Sequence, residues 1–111
     1  MIGPSKDRFE RIFSDGRRAS GPIARIACLP GTGLIGFATS RKLGGKPQRN
    51  RQRRRFKAAL QDCAELLHPA MDYVVILGPS CAEAPWRRIT EEARDLIVRA
   101  NARWAEESES S

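Results

Sequence analysis

Five consecutive apolar residues, Tyr73-Val74-Val75-Ile76-Leu77, stand between Asp72 and Gly78-Pro79 in this chain of 111 residues. Such a run has no face to turn toward water, so it reads as a central strand covered on both sides. Candidate covers flank it. From Phe56 the apolar positions Phe56, Ala59, Leu60, Cys63 and Leu67 form one stripe at helical spacing, ended by His68-Pro69. After Pro85 a second stripe runs through Trp86, Ile89, Ala93, Leu96, Ile97, Ala100 and Trp104, with Asp95 and Arg99 at i, i+4 on its outer side. Near the start, Lys6 to Ser14 carries Phe9, Ile12 and Phe13 at i, i+3, i+4, and Asp15-Gly16 ends that helix. Arg17 to Ser20 makes a short extended piece. Ile23 to Leu29 alternates, with Ile23, Arg25, Ala27 and Leu29 on one side. Leu34 to Ser40 is again strand-like, and the turn Pro30-Gly31-Thr32-Gly33 predicts that these two strands pair as an antiparallel hairpin. The order is helix, a few strands, helix, strand, helix. It describes one domain, an α/β sandwich of a small sheet against helices, followed by an acidic solvated tail at 105–111.

The second helix enters through a block of charge. Lys46 to Lys57 holds seven basic residues in twelve, with Asn50 between Arg49 and Arg51. Extending the stripe backward from Phe56 puts Arg49, Gln52 and Arg53 in line with it. Arginines cannot be buried without partners, so the first turns are expected to project beyond the core, with guanidinium groups on several sides. Pro47 suits a helix start. Residues 1–60 carry fifteen Lys or Arg against three acids, a balance of +12; residues 61–111 carry five against ten, a balance of −5. The net charge is +7 and the pI about 10.2. Positive charge segregated in this way makes a polyanion the natural partner. The basic segment lacks the Trp and Leu face of a membrane-surface helix, and no apolar run approaches the ~20 residues of a span. MIGPSKDRFE has no signal-peptide core, so the chain is expected to be cytoplasmic. Its cysteines, Cys28, Cys63 and Cys81, are then reduced, and with the single His68 they form no metal set.

Two enzymatic readings are set aside. Gly31, Gly33 and Gly36 satisfy G-x-G-x-x-G, but that fingerprint needs a helix opening at the glycines and an acid about twenty residues on. Here Ile35 to Thr39 is strand-like and no such acid exists, so a plain turn is expected. Hydrolysis of a phosphodiester by the chain itself needs a carboxylate cluster or an acid–base pair. The basic half offers Asp7, Glu10 and Asp15, strung along one short helix, and His68 sits at a helix end. No catalytic residue and no metal ligand are assigned. Binding remains: guanidinium forks pair with phosphates, and helix N-terminal amides add an anion site. Asn50 suits a helix cap and an RNA contact equally. Phe9 and Phe13 suit packing as well as stacking on bases, and Arg17, Arg18 and Arg25 suit a solvated surface as well as RNA. Tyr73, Trp86 and Trp104 are read as packing.

From Gly36 to Lys57 the chain reads GFATSRKLGGKPQRNRQRRRFK. This resembles the signature of the bacterial ribonuclease P protein component, a strand ending in Ser-Lys-Lys, a glycine loop, then Arg-Asn-Arg-x-Lys-Arg opening a helix. Ser40, Arg41 and Lys42 match the strand end and Gly44 the loop. Arg49, Asn50 and Arg51 match the core, and Arg53, Arg54 and Lys57 its continuation. Asp7 to Phe13 with Gly16-Arg17-Arg18 resembles the family's first helix and the adjoining segment, and Met71 to Ile76 its last strand, so the resemblance spans about residues 6–104. It implies a two-layer α+β sandwich in the order α-β-β-β-α-β-α, shared with some ribosomal proteins and containing a left-handed crossover. It implies a protein subunit that binds the catalytic RNA of ribonuclease P through Arg49, Asn50, Arg51, Arg53, Arg54 and Lys57. The sheet face beside the first helix would take the single-stranded 5′ leader of precursor tRNA, at Phe9, Phe13, Ser40, Arg41, Lys42 and Lys46. The RNA would do the chemistry with magnesium, the protein binding no cofactor and needing no obligate protein partner. The family often has an aromatic residue near Ala27, a basic one at Gly78, and aliphatics where Gln52 and Arg55 stand. Composition alone leaves a second class open, a ribosomal-type rRNA-binding structural protein with no role in tRNA processing.

Overall fold

The computed structural model describes the backbone of residues 2–110 and side chains as far as Glu106. The elements are α1 (Lys6–Asp15), β1 (Arg17–Ser20), β2 (Ala24–Pro30), β3 (Ile35–Thr39), α2 (Lys46–Asp62), β4 (Met71–Leu77) and α3 (Trp86–Ser110), with short 3-10 turns at Arg41–Leu43, Ala64–Leu66 and Pro79–Glu83. The α+β order α-β-β-β-α-β-α is the expected one. The strands form one sheet in the order β1-β2-β4-β3. β1–β2 and β2–β4 are antiparallel, and β3–β4 is parallel, joined through α2.

The period of two along the strands sorts residues between the faces. Ala24, Ile26 and Cys28 of β2 join Tyr73, Val75 and Leu77 of β4 under α2 and α3, whose Phe56, Leu60, Ile89, Leu96 and Ile97 complete the main core. Ala27 and Leu29 of β2 and Val74 of β4 turn to the opposite face, where α1 lays Ile12, Phe9 and Phe13 on them. Ile12 is fully buried, a contribution of about 1.5–3 kcal/mol to docking α1. Ser5 starts α1 by accepting the Arg8 N–H at 3.2 Å, and the Gly16 N–H ends it on the Ile12 carbonyl at 2.9 Å. A Cβ at Gly16 would fall 2.4 Å from the carbonyl oxygens of both Ile12 and Cys28, so no larger residue fits there.

The expected β2–β3 hairpin does not form. β4 lies between the two strands, with Val75 opposite Ile26 on one side and Phe37 on the other. A strand apolar on both faces belongs in the middle of the sheet, and this order gives it a partner on each edge. The Pro30–Gly33 turn is built to carry the chain across β4. Asp72, at the start of β4 and 1% exposed, accepts the Thr32, Gly33 and Leu34 N–H groups on Oδ1 at 2.9, 3.0 and 2.8 Å. Gly31 passes so close that a Cβ would lie 2.2 Å from Oδ2, and Gly33 has φ +91°. The glycine-rich amides therefore do converge on an anion, and it is an internal one. Arg8 of α1 pairs with the same carboxylate at 3.0 Å and donates to the Pro30 carbonyl at 2.8 Å. Burial alone would raise the Asp72 pKa; the Leu34 and Thr32 amides and the Arg8 guanidinium outweigh it and hold the pKa below its ordinary value.

Three further expectations change. The stripe from Phe56 to Leu67 is not one helix, because α2 ends at Asp62 and Ala64–Leu66 is a 3-10 turn. External side chains satisfy the backbone there. The Tyr73 hydroxyl accepts the His68 N–H at 2.9 Å and donates to Asn101 Oδ1 at 2.7 Å, and Asn101 Nδ2 donates to the Leu66 carbonyl at 2.9 Å. Trp86, read as packing, is 44% exposed at the first position of α3, and the buried stripe begins one turn later at Ile89. Residues 105–110 continue α3 instead of forming a separate tail, since no Gly or Pro stops the helix; Ser111 lies outside the described residues. The three cysteines are free and buried, and burial pushes the Cys28 thiol up to about 11, against a smaller opposing effect of Arg17. Within the α3 stripe stands a buried acid, Glu92. It accepts the Ile23 and Ala24 N–H groups at 2.8 and 2.7 Å, with Arg88 3.7 Å away, and ties α3 to the start of β2.

Candidate nucleic-acid interface

Gly45 is the N-cap of α2, with Pro47 in the first turn. Behind the buried line of Gln52, Phe56, Ala59 and Leu60, five of the seven basic residues divide into two groups. Arg51 and Arg54 are exposed on the outer surface. Lys46, Asn50, Arg53 and Lys57, spaced i, i+4, i+7, i+11, form a flank along one side of the helix. Arg53 and Lys57 border a groove of about 340 Å³ that also touches Pro4, Phe9 and Gly36, so the flank reaches the α1 side of the sheet at the β3 edge. Asn50 lies in the second turn, which excludes capping. Its side-chain oxygen accepts from the Arg53 guanidinium.

The expected projection of the first turns holds for Arg51 and Arg54 and fails for the neighbouring line. Gln52 is 5% exposed and Arg49 half-buried. Arg55 donates to Gln52 Oε1 at 2.7 Å and to the carbonyls of Cys81 and Ala84 at 3.3 and 2.6 Å, joining α2 to the 3-10 turn after β4. A glutamine and an arginine are tolerated on this line because they satisfy one another and two free carbonyls.

α1 covers only part of its sheet face. Beyond it lies a groove of about 340 Å³ whose lining includes Arg25, Ser40, Lys42, Ile76 and Gly78. Ser40 accepts the Lys42 N–H at 3.2 Å and opens the turn Arg41–Leu43; Leu43 is buried and anchors the turn, leaving Arg41 and Lys42 exposed. Lys46 is exposed just beyond. Phe9 packs against β3, where a Cβ at Gly36 would meet its ring at 2.9 Å and Pro4 at 2.8 Å. The Phe13 ring carries the Arg18 guanidinium at 4.7 Å and that of Arg25 at 5.5 Å from its centre. Phe9, Phe13, Ser40 and Lys42 thus share one face of the sheet, while Arg51 and Arg54 stand on the outer side of α2. Arg18 and Arg25 were not among the residues assigned to the cleft. The signal was present, since Arg25 alternates in step with Ala27 and Leu29. Among the described residues no group of three or more His, Cys, Asp or Glu side chains could hold a metal ion.

A small mixed sheet with a strongly basic helix at one edge, and a cation-lined groove on the face left open, is a surface suited to a polyanion. The chain matches the family model described as Ribonuclease P over residues 4–101. It belongs to that family. It is 31% identical over 98 residues to the Ribonuclease P protein component of Chloroflexus aurantiacus, covering 85% of this chain and 73% of that one. It is 29% identical over 100 residues to that of a Nitratiruptor species, covering 89% and 91%. In fold it is similar to the RNase P protein from Thermotoga maritima, with a TM-score of 0.77 at 19% identity, covering 89% of this chain and 97% of that one. The Staphylococcus aureus RNase P protein gives 0.73 at 18% identity, covering 87% and 92%. Family membership favours the ribonuclease P reading over the ribosomal one.

Proposed function

We propose that this chain binds the catalytic RNA of ribonuclease P through Arg49, Asn50, Arg51, Arg53, Arg54 and Lys57, and holds the 5′ leader of precursor tRNA between α1 and the sheet, so promoting cleavage at the tRNA 5′ end. The observation that carries the reading is continuity: the basic flank of α2 meets the cleft at the groove shared by Arg53, Lys57 and Phe9. One RNA can lie along α2 while a single strand passes Phe9, Phe13, Ser40 and Lys42, with Arg41 and Lys46 beside the exit. In this reading hydrolysis belongs to the RNA and its magnesium. The protein supplies guanidinium forks for phosphates and lowers the repulsion between two RNAs brought together. Its place is the cytoplasm, with its RNA partner; among the described residues no helix is long and apolar enough to cross a membrane.

The test is binding to ribonuclease P RNA across a salt series, with ribosomal RNA as competitor. If about six to ten phosphates are neutralised, affinity falls roughly a thousandfold or more between 50 and 200 mM salt. A flat response, or preference for ribosomal RNA, contradicts the proposal.

A further inference from the structure

We infer that the outer edge of β1 is a strand-pairing surface that α3 holds closed, and that the partner it excludes is a second copy of this chain. β1 ends the sheet order, with β2 on one side and, among the described residues, no strand on the other. The Gly21 N–H donates to the Ala24 carbonyl at 2.9 Å, in step with the pairing of Ala19 with Ile26 and of Arg17 with Cys28. The backbone of Arg17, Ala19 and Gly21 therefore faces β2, and the backbone of Arg18 and Ser20 faces outward. An edge of this kind is a template for another strand. Here both outward carbonyls are taken. Arg103 donates to that of Arg18 at 2.6 Å, and Arg99 to that of Ser20 at 2.8 Å. The spacings match, since four residues of helix rise about 6 Å and two of strand about 6.8 Å. Asp95 steadies the Arg99 guanidinium at 2.9 Å from one turn earlier on α3.

At the far edge of the sheet the chain covers itself, where the Ile35 N–H of β3 donates to the Ile2 carbonyl at 2.9 Å. β1 has side chains in place of a segment. A guanidinium 2.6–2.8 Å from an outward carbonyl lies inside the about 4.8 Å that separates paired strands. The two forks thus stand where an added strand must run. They border a groove of about 460 Å³ whose lining includes the small residues Ala19, Ser20 and Ala102, so the edge has room for a neighbour once they leave. A second copy fits because the edge is self-complementary. Antiparallel pairing about a two-fold axis at Ala19 sets Arg18 opposite the second copy's Ser20, and no like charges directly oppose one another. Every ladder bond of that pair would end on an Arg18 or Ser20 carbonyl, the atoms that Arg103 and Arg99 hold.

The experiment is sedimentation of the full chain, purified free of nucleic acid, over a concentration series. The double variant Arg99→Ala with Arg103→Ala should stay folded by circular dichroism and double in mass as concentration rises, while the parent's mass stays constant. Adding Ser20→Pro removes an outward N–H and leaves the bonds to β2 intact, so it should return the double variant to the parent's mass. Arg87→Ala with Arg94→Ala takes the same charge from exposed positions elsewhere on α3 and should behave as the parent. Arg103→Ala alone frees one carbonyl and should associate more weakly than the double variant; it carries the test if the double variant does not fold. A folded variant that keeps the parent's mass at every concentration shows that the arginines only fasten α3 to β1, and overturns the inference. So does a variant dimer that survives Ser20→Pro, a parent dimer that Ser20→Pro dissolves, or association produced equally by Arg87→Ala with Arg94→Ala.

Discussion

Replacing Asp72 with Ala should be the most disruptive single polar substitution in this fold. The carboxylate takes three backbone N–H groups at 2.8–3.0 Å and the Arg8 guanidinium at 3.0 Å, with its side chain 2% exposed. Truncation leaves three amides without an acceptor in a turn and strands a part-buried guanidinium. Removing one partner of a buried ion pair costs about 3–5 kcal/mol. Arg8 is 27% exposed and part of the turn can rehydrate, so the low end, about 3 kcal/mol, is expected. That corresponds to a fall in Tm of about 10–20 °C for a domain of this size. Thermal and urea unfolding followed by circular dichroism measure it. The pH dependence gives an independent check. The folded-state pKa of Asp72 lies below the unfolded value, so its stabilisation is complete above the unfolded pKa and is lost as pH falls through the folded one. The gap between parent and Asp72→Ala should therefore narrow in acid, below the ordinary aspartate range. A loss under about 1 kcal/mol, or a gap that widens in acid, would refute the reasoning.

Glu92→Ala should cost about 2–3 kcal/mol, because the Ile23 and Ala24 amides lose their charged acceptor; urea unfolding checks this. Cys28, pushed up to about 11, should resist thiol reagents at pH 8 in the folded protein and react at once in denaturant. Arg55→Ala should lower stability by about 1–3 kcal/mol, since it frees the buried Gln52 amide and two carbonyls. Thermal unfolding would show it, with the exposed Arg54→Ala as a silent control.

The helices and the central strand were legible because each carries its own period: the α1 triplet at Phe9, Ile12 and Phe13, the stripe from Ile89 to Ala100, and the unbroken Tyr73–Leu77. Strand order was not, because neighbours in sequence favour a hairpin and nothing local states that β4 will part β2 from β3. Asp72 held the clue, an acid directly before an all-apolar strand, whose only acceptable place is under a ring of donors. Glu92 was equally visible, an acid three residues after Ile89 on a buried stripe. On α2, spacing alone could not say which arginines pack. Arg55 folds back onto the turn after β4, a partner 26 residues away, while Arg51 and Arg54 stay exposed on the outer surface of the helix. That Phe9 and Phe13 lie against the sheet was legible from their spacing, whereas Arg18 and Arg25 meet Phe13 only once β1 and β2 are paired beneath α1.

The most direct test of the central claim is cleavage of precursor tRNA by ribonuclease P RNA at limiting magnesium, with and without this chain. The parent chain should lower the magnesium needed for 5′ cleavage, because its cations offset phosphate repulsion that the metal would otherwise screen. The double variant Arg51→Ala with Arg54→Ala removes two exposed cations and no packing. It should stay folded by circular dichroism yet require more magnesium than the parent. A folded double variant that stimulates cleavage as well as the parent would contradict the assignment of α2 to the catalytic RNA, and cleavage by the chain in a preparation free of RNA would contradict the account as a whole.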